Sequence, residues 1–145
     1  MDCYPVLDLA AHFAGEWRLD REILTAAGEP VGEVTGTATF TEEGGVLVYR
    51  EVGEMRLGGY TGPVMRTLHY RLAEPGRADV HFDHGGFFHE LDLRAGCWET
   101  DHPCRADLYH GSYRVLDAQR WRQEWAVRGP AKDHLIVTRF SRASG

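Results

Sequence analysis

Apolar and polar residues alternate along almost the whole chain, in short runs separated by clusters of Gly, Pro and Asp. Side chains on a strand point to opposite faces in turn, so alternation with period two marks a strand with one face buried. The pattern predicts strands at 15–24, 32–41, 45–54, 63–72, 78–83, 87–93, 97–101, 105–115, 120–128 and 133–142. The segment 54–62 carries the weakest signal. Turn residues fall between these runs at nearly every boundary, for example Gly44-Gly45, Gly58-Gly59, Pro75-Gly76 and Gly129-Pro130. Ahead of the first strand, Asp8-Leu9-Ala10-Ala11-His12-Phe13 reads as one or two helical turns. There is no linker, low-complexity tract or repeat. The expectation is an all-β chain forming a single domain over 1–145, an antiparallel up-and-down β-barrel of about 8–10 strands with a short N-terminal helix.

The same alternation assigns faces. Trp17, Leu19, Arg21 and Ile23 share the inner face of the first strand, and Arg18, Asp20 and Glu22 face solvent. In the fourth strand Val64, Arg66, Leu68, Tyr70 and Leu72 form the more apolar set, which turns Arg66 and Tyr70 inward. Val80 and Phe82 point inward, as do Phe87, His89 and Leu91, and then Trp121, Gln123, Trp125 and Val127. The third strand is two-sided: Leu47, Tyr49 and Glu51 oppose Val46, Val48, Arg50 and Val52. That leaves its face undecided, and it leaves open a homodimer through an outer sheet face. The strand around 104–114 is undecided too, with Asp107, Tyr109 and Tyr113 on one side and Cys104, Ala106, Leu108 and His110 on the other.

Composition narrows the function. The 145 residues are 43% hydrophobic and 26% charged, with a net charge of −6. An acidic balance without a basic stripe argues against a nucleic-acid partner. No apolar run is long enough to span a membrane as a helix. Met1-Asp2-Cys3-Tyr4-Pro5 lacks the basic and apolar regions of a secretory leader. Cys3, Cys97 and Cys104 are an odd number at irregular spacing, which points to a reducing cytoplasm rather than a disulfide framework.

Gly15-Glu16-Trp17 after a short helix resembles the opening of the lipocalin and calycin barrels. In those, such a Trp closes the barrel bottom and a late basic residue packs across the indole, a part open here to Arg139 or Arg142. Further segments resemble a bacterial lipocalin-like domain family of unknown function: Tyr49-Arg50-Glu51, Arg66-Thr67-Leu68-His69-Tyr70, Phe87-Phe88-His89-Glu90-Leu91-Asp92, the run from His102 to Tyr109, and the run from Trp125 to Asp133. The resemblance covers most of the chain. It implies a fold and brings no catalytic mechanism.

The inward set is unusually polar. With the aromatic face of the 104–114 strand turned in, Asp107 and Tyr109 join Arg21, Glu51, Arg66, Tyr70, His89 and Gln123 in the lumen. A buried polar group left unpaired costs about 1–3 kcal/mol, and a charge more. These groups therefore either satisfy one another or line a pocket for a polar ligand. Trp17, Tyr70, Phe82, Phe87, Trp121 and Trp125 would wall such a pocket and suit a flat molecule. Two Arg suit an anionic end. The leading expectation is thus a small-molecule-binding barrel, its ligand planar or amphipathic with an anionic or polar end, held by Arg21, Glu51, Arg66, Tyr70, His89, Asp107, Tyr109, Gln123 and Trp125. Two alternatives stand beside it. One is a cofactor-free isomerase, cyclase or hydrolase using His89, Asp107 and Tyr109 as proton carriers. The other is an interaction module whose barrel is sealed, with Val46, Val48 and Val52 as its contact face. His89, His102 and Cys104 have the chemistry of metal ligands, but their spacing matches no zinc signature, so no metal and no cofactor is expected. A lone inward His89 has the chemistry of a haem axial ligand as well. Ser112, Ser141 and Ser144 sit in no nucleophile motif. Lys132, in the turn 129–133, lies at one mouth of the barrel, where it meets either water or an anion.

Overall fold

Asp8 begins the helix α1 (Leu9–Phe13): its carboxylate accepts a hydrogen bond from the Ala11 N–H at 3.0 Å, capping the first turn. The computed structural model describes residues 2–143, so Ser144 lies outside the described residues. After the helix come ten strands: β1 (Gly15–Thr25), β2 (Pro30–Glu43), β3 (Val46–Leu57), β4 (Tyr60–Glu74), β5 (Arg77–Phe82), β6 (Phe87–Asp92), β7 (Cys97–Cys104), β8 (Asp107–Asp117), β9 (Arg120–Gly129) and β10 (Lys132–Arg142). All belong to one antiparallel sheet in the order β6-β5-β4-β3-β2-β1-β10-β9-β8-β7. Every sequential pair except β6–β7 is a hairpin, and β10 returns to β1. The sheet curls into a nearly closed up-and-down barrel with a seam between β6 and β7. The weak segment 54–62 is the β3–β4 hairpin, whose strands simply run on to Leu57 and restart at Tyr60.

Closure requires sharp bends. Gly36 on β2 faces Gly53 on β3 in register, and a Cβ on Gly36 would lie 2.1 Å from the Val52 carbonyl oxygen. Only glycine permits that approach. At the seam no ladder forms, but the Trp98 indole N–H donates to the Glu90 carbonyl at 2.7 Å.

The N-terminal segment seals the lower end and straps the seam. Tyr4 N–H donates to the Val115 carbonyl, Val6 N–H to Leu93 and Leu9 N–H to Pro75. A disulfide joins Cys3 to Cys97 at the foot of β7, with the Cα atoms 5.8 Å apart. This corrects the reading of the three cysteines as thiols: two are paired and Cys104 alone is free. An odd count conceals a pair whenever the third thiol has a separate place, and a partner 94 residues away leaves no local spacing to read.

The lower half of the lumen is solid. Trp17 is fully buried and donates its indole N–H to the Phe13 carbonyl at 2.9 Å. Trp121 stacks on Phe140 with ring centroids 3.8 Å apart. Of the two basic candidates, Arg142 packs over Trp17, its guanidinium carbon 4.0 Å from the ring centroid, and donates to the Ala14 and His12 carbonyls, which ties the helix end to the barrel floor. Arg139 points outward to Glu22. On the third strand Leu47, Tyr49 and Glu51 turn inward; of the outer set Val48 is buried, and Val52 is exposed beside its register partner Met65.

Candidate functional site

Above the packed floor the barrel keeps a cavity of about 280 Å³. Strand register explains its polar base. Arg21, Thr138 and Gln123 are successive partners across β1, β10 and β9, and Glu51 is the partner of Arg66 across β3 and β4. Inward positions at one height of neighbouring strands must meet, so the charges predicted to face inward converge.

Glu51 is their centre. Arg21 grips its carboxylate with both terminal nitrogens, at 2.8 and 3.1 Å, and donates from Nε to the Thr138 hydroxyl at 2.8 Å. Arg66 reaches Glu51 from the far side at 3.2 Å, and the Tyr49 hydroxyl donates to it at 2.6 Å. Burial alone would raise the Glu51 pKa, but the Arg21 hydrogen bonds, the two guanidinium charges and Tyr49 outweigh it and hold the carboxyl down at about 2. The group is therefore an anion at any pH near neutral, with three donors on Oε1 and one on Oε2. Arg66 is not consumed in the same way. Only its Nη2 has a partner among the described residues, and 40% of its side chain is exposed, against 12% for Arg21.

The walls are aromatic. Phe82, Phe88 and Trp125 lie nearly parallel, Phe82 to Phe88 at 4.5 Å and Phe88 to Trp125 at 5.0 Å, each pair tilted by 19°. Trp125 rests on Gly111, where a Cβ would come within 2.6 Å of the indole. Its N–H donates to the Gln123 amide oxygen at 3.3 Å, and the Gln123 NH₂ has no partner among the described residues. His102, Cys104, Tyr109 and Ile136 complete the lining.

Phe88 replaces Phe87 as the wall residue. The β5–β6 ladder pairs Val80 with His89 but His81 with Phe87, so Phe88 is the extra residue of a β-bulge. Strict alternation put Phe87 inward; the bulge buries Phe88 and leaves Phe87 53% exposed. A second correction concerns Cys104. Arg105, in the left-handed region at φ 59°, turns the chain between β7 and β8, so Cys104 belongs with His102 on the cavity face and not with Leu108 and His110.

The remaining predicted site residues scatter. His89 is buried beside the cavity, not in its lining. Its Nδ1–H donates to the Glu90 carbonyl at 2.7 Å and its Nε2 accepts from the Tyr113 hydroxyl at 3.1 Å. Tyr70 lies beside Tyr113. The chain of donors runs from the Tyr113 hydroxyl to His89 to the Glu90 carbonyl. Burial lowers the His89 pKa to about 4 and raises that of Tyr70 to about 12, so both stay neutral. Asp107 lies at the mouth, 3.5 Å from Lys132, with Gly129 packed against it. Tyr109 and Asp107 together raise the Lys132 pKa. The three residues weighed as proton carriers thus do not share one site. Nor do the three with metal-ligand chemistry: His102 and Cys104 line the cavity, while both His89 ring nitrogens are taken.

Residues 13–142 match a family of unknown function, DUF6314, and the chain belongs to it. No curated protein matches the sequence. Among solved structures the chain is similar to an S-type phycobiliprotein lyase from Guillardia theta, at 11% identity and TM-score 0.67, over 98% of this chain and 94% of that one. It is also similar to a DUF3598-family protein of unknown function from Nostoc punctiforme, at 14% identity and TM-score 0.62; there it covers 97% of itself but spans about half, 51%, of the other chain. A third is EF1p2_mFAP2b bound to DFHBI, at 11% identity and TM-score 0.53, over 95% of this chain and 99% of that one. These likenesses are of fold.

Proposed function

We propose that this member of the DUF6314 family binds a small planar or amphipathic molecule in the upper lumen, with the anionic end of the ligand at Arg66 and its flat body along Phe82, Phe88 and Trp125. The observation that carries the reading is the arithmetic of charge: two guanidinium groups share one carboxylate, and among the described residues no other acidic side chain lines the cavity. Arg66 reaches into the cavity, shares its one counter-ion with Arg21 and keeps part of its guanidinium unengaged, and a ligand carboxylate or similar group supplies a second partner. The unpartnered Gln123 NH₂ adds a donor at the same height. Barrels of similar fold include one bound to DFHBI and one that acts as a phycobiliprotein lyase, in keeping with this use of the lumen.

The sequence-based expectation of a cytoplasmic location rested on three free thiols; the Cys3–Cys97 bond removes that ground and fits an oxidising compartment instead. No helix among the described residues is long and apolar enough to cross a membrane.

Native mass spectrometry of the purified protein, compared with the denatured chain, tests the central reading. A retained small molecule, or uptake of naphthalene-2-carboxylate by empty protein, is expected, and Arg66→Ala should abolish it. Failure of every flat aromatic probe to bind at millimolar concentration overturns the proposal.

A further inference from the structure

We infer that the lumen is matched to a single negative charge, so that its ligand class is the aromatic monoanion, a one- or two-ring carboxylic acid, and that Arg66 is the residue that sets this specificity. The inference rests on the proposed binding function and goes beyond it by fixing the charge and size of the ligand.

Charge comes first. Arg21 and Glu51 cancel in a bidentate pair whose geometry is complete: both carboxylate oxygens and all three Arg21 nitrogens are engaged. Arg66 also bonds Glu51, but one carboxylate cannot neutralise two guanidinium charges, so Arg66 leaves one positive charge over. The phenols around the site remain protonated, because burial pushes Tyr49 and Tyr113 well above the ordinary value. At the mouth, Lys132 and Asp107 cancel each other. The lumen therefore holds one uncompensated charge. A monoanion on the Nε and Nη1 side of Arg66 brings it to zero. A dianion would leave one negative charge in a poorly solvated space, and a neutral molecule would leave Arg66 as it is.

Size comes second. A cavity of about 280 Å³ lies at the small end of ligand sites, and one side of it is a wall of nearly parallel rings. Long acyl chains have no room in the lower half, where Trp17, Phe40, Trp121 and Phe140 fill the axis. One or two fused rings fit between Trp125 and Arg66.

Three probes of one shape test this: naphthalene-2-carboxylate, 2-naphthyl phosphate and 2-naphthalenemethanol, titrated by calorimetry at pH 8 so that the phosphate is a dianion. The carboxylate should bind roughly tenfold or more tighter than either of the others. Arg66→Gln removes the spare charge and should erase that preference, so that carboxylate and alcohol bind alike. Arg66→Lys should keep it. Glu51→Gln raises the lumen charge by one and should move the preference to the phosphate; should that variant not fold, the Arg66 pair decides alone. Equal binding of all three probes to the wild type, or tighter binding of the phosphate, overturns the inference while leaving ligand binding intact. So does an equal loss of carboxylate and alcohol in Arg66→Gln. Absence of binding by every probe instead defeats the functional reading beneath it.

Discussion

The two halves of the barrel are built from the same strands and the same kinds of residue, yet one is solid and the other is hollow. Along β1 the inner face reads Trp17, Leu19, Arg21, Ile23 from floor to mouth, and the boundary falls at Arg21. Below it Trp17, Trp121, Phe140 and Phe40 fill the axis ring against ring. Above it Trp125, Phe88 and Phe82 lie flat against one side and leave the centre open. Between them sits the layer of Glu51, Arg21 and Arg66. The difference teaches that aromatic content alone does not distinguish core from pocket. What does is whether the rings meet across the axis or line up along the wall, and a strip of paired charges marks the change.

The comparison breaks first on tryptophan. Trp17→Ala removes a ring packed on all sides and should cost about 3–5 kcal/mol, whereas Trp125→Ala enlarges a space that already exists and should cost about 1–3 kcal/mol while losing the ligand. Thermal unfolding should show a drop of roughly 6–20 °C for the first and clearly less for the second. Equal losses would mean that the upper half is packed as tightly as the lower. The lower half also carries the Cys3–Cys97 bond. Reduction, or Cys3→Ser, should lower stability by about 2–5 kcal/mol, because the bond closes a very long loop and holds the strap on the seam. Cys104→Ser, at the other end, should leave the melting temperature unchanged.

Much of the lower half can be read in the chain, and less of the upper. The inward Trp17, Arg21 and Gln123 follow from alternation, because β1, β10 and β9 pair regularly at those positions; the cation over Trp17 comes from the resemblance alone, which leaves Arg139 and Arg142 both open. Phe88 is illegible for a local reason: one bulged residue shifts the face of everything on its far side, and nothing in Phe87-Phe88-His89 marks where the ladder slips. Cys104 changes sides because a single left-handed residue, Arg105, reverses the chain without any Gly to announce it. The Tyr113–His89 hydrogen bond and the Cys3–Cys97 pair each join residues far apart in sequence, and period-two reasoning speaks only of neighbours. Glu51 lay in a strand with two apolar faces. Its inward turn is settled by Arg21, on a strand two places away in the sheet.

Acid should separate the layers in turn. The folded chain holds His89 at about 4, below its ordinary 6.5, so the unfolded chain takes up the proton first. Stability should fall by about 3 kcal/mol as the pH drops from about 6.5 to about 4. Glu51 has the opposite partner and the same consequence. Its depressed value of about 2, against 4.5, contributes stability that is full above the ordinary value and is lost as the pH falls towards 2, again about 3 kcal/mol. Urea unfolding at stepped pH should therefore show a decline in two stages. His89→Gln should flatten the first stage and leave the second. A single decline confined below pH 4.5 in the wild type would show that His89 is not held neutral by its surroundings.

The smallest effect concerns Cys104, and it sharpens the contrast because it reports on the upper half alone. The protein has one free thiol, exposed at the rim and part of the cavity lining, while the other two cysteines are bonded at the floor. Iodoacetamide should accordingly add once per chain, as a single mass increment on the peptide holding Cys104, with or without prior denaturation in the absence of reductant. A molecule seated between Arg66 and Trp125 occupies the space that the reagent must enter. Naphthalene-2-carboxylate, at a concentration that fills the wild type but lies below the weakened Kd of Arg66→Gln, should slow the alkylation several-fold in the wild type and much less in Arg66→Gln. The two proteins share the same rim, so a rate that falls equally in both at that concentration would place the probe on the outside of the barrel and not in its lumen.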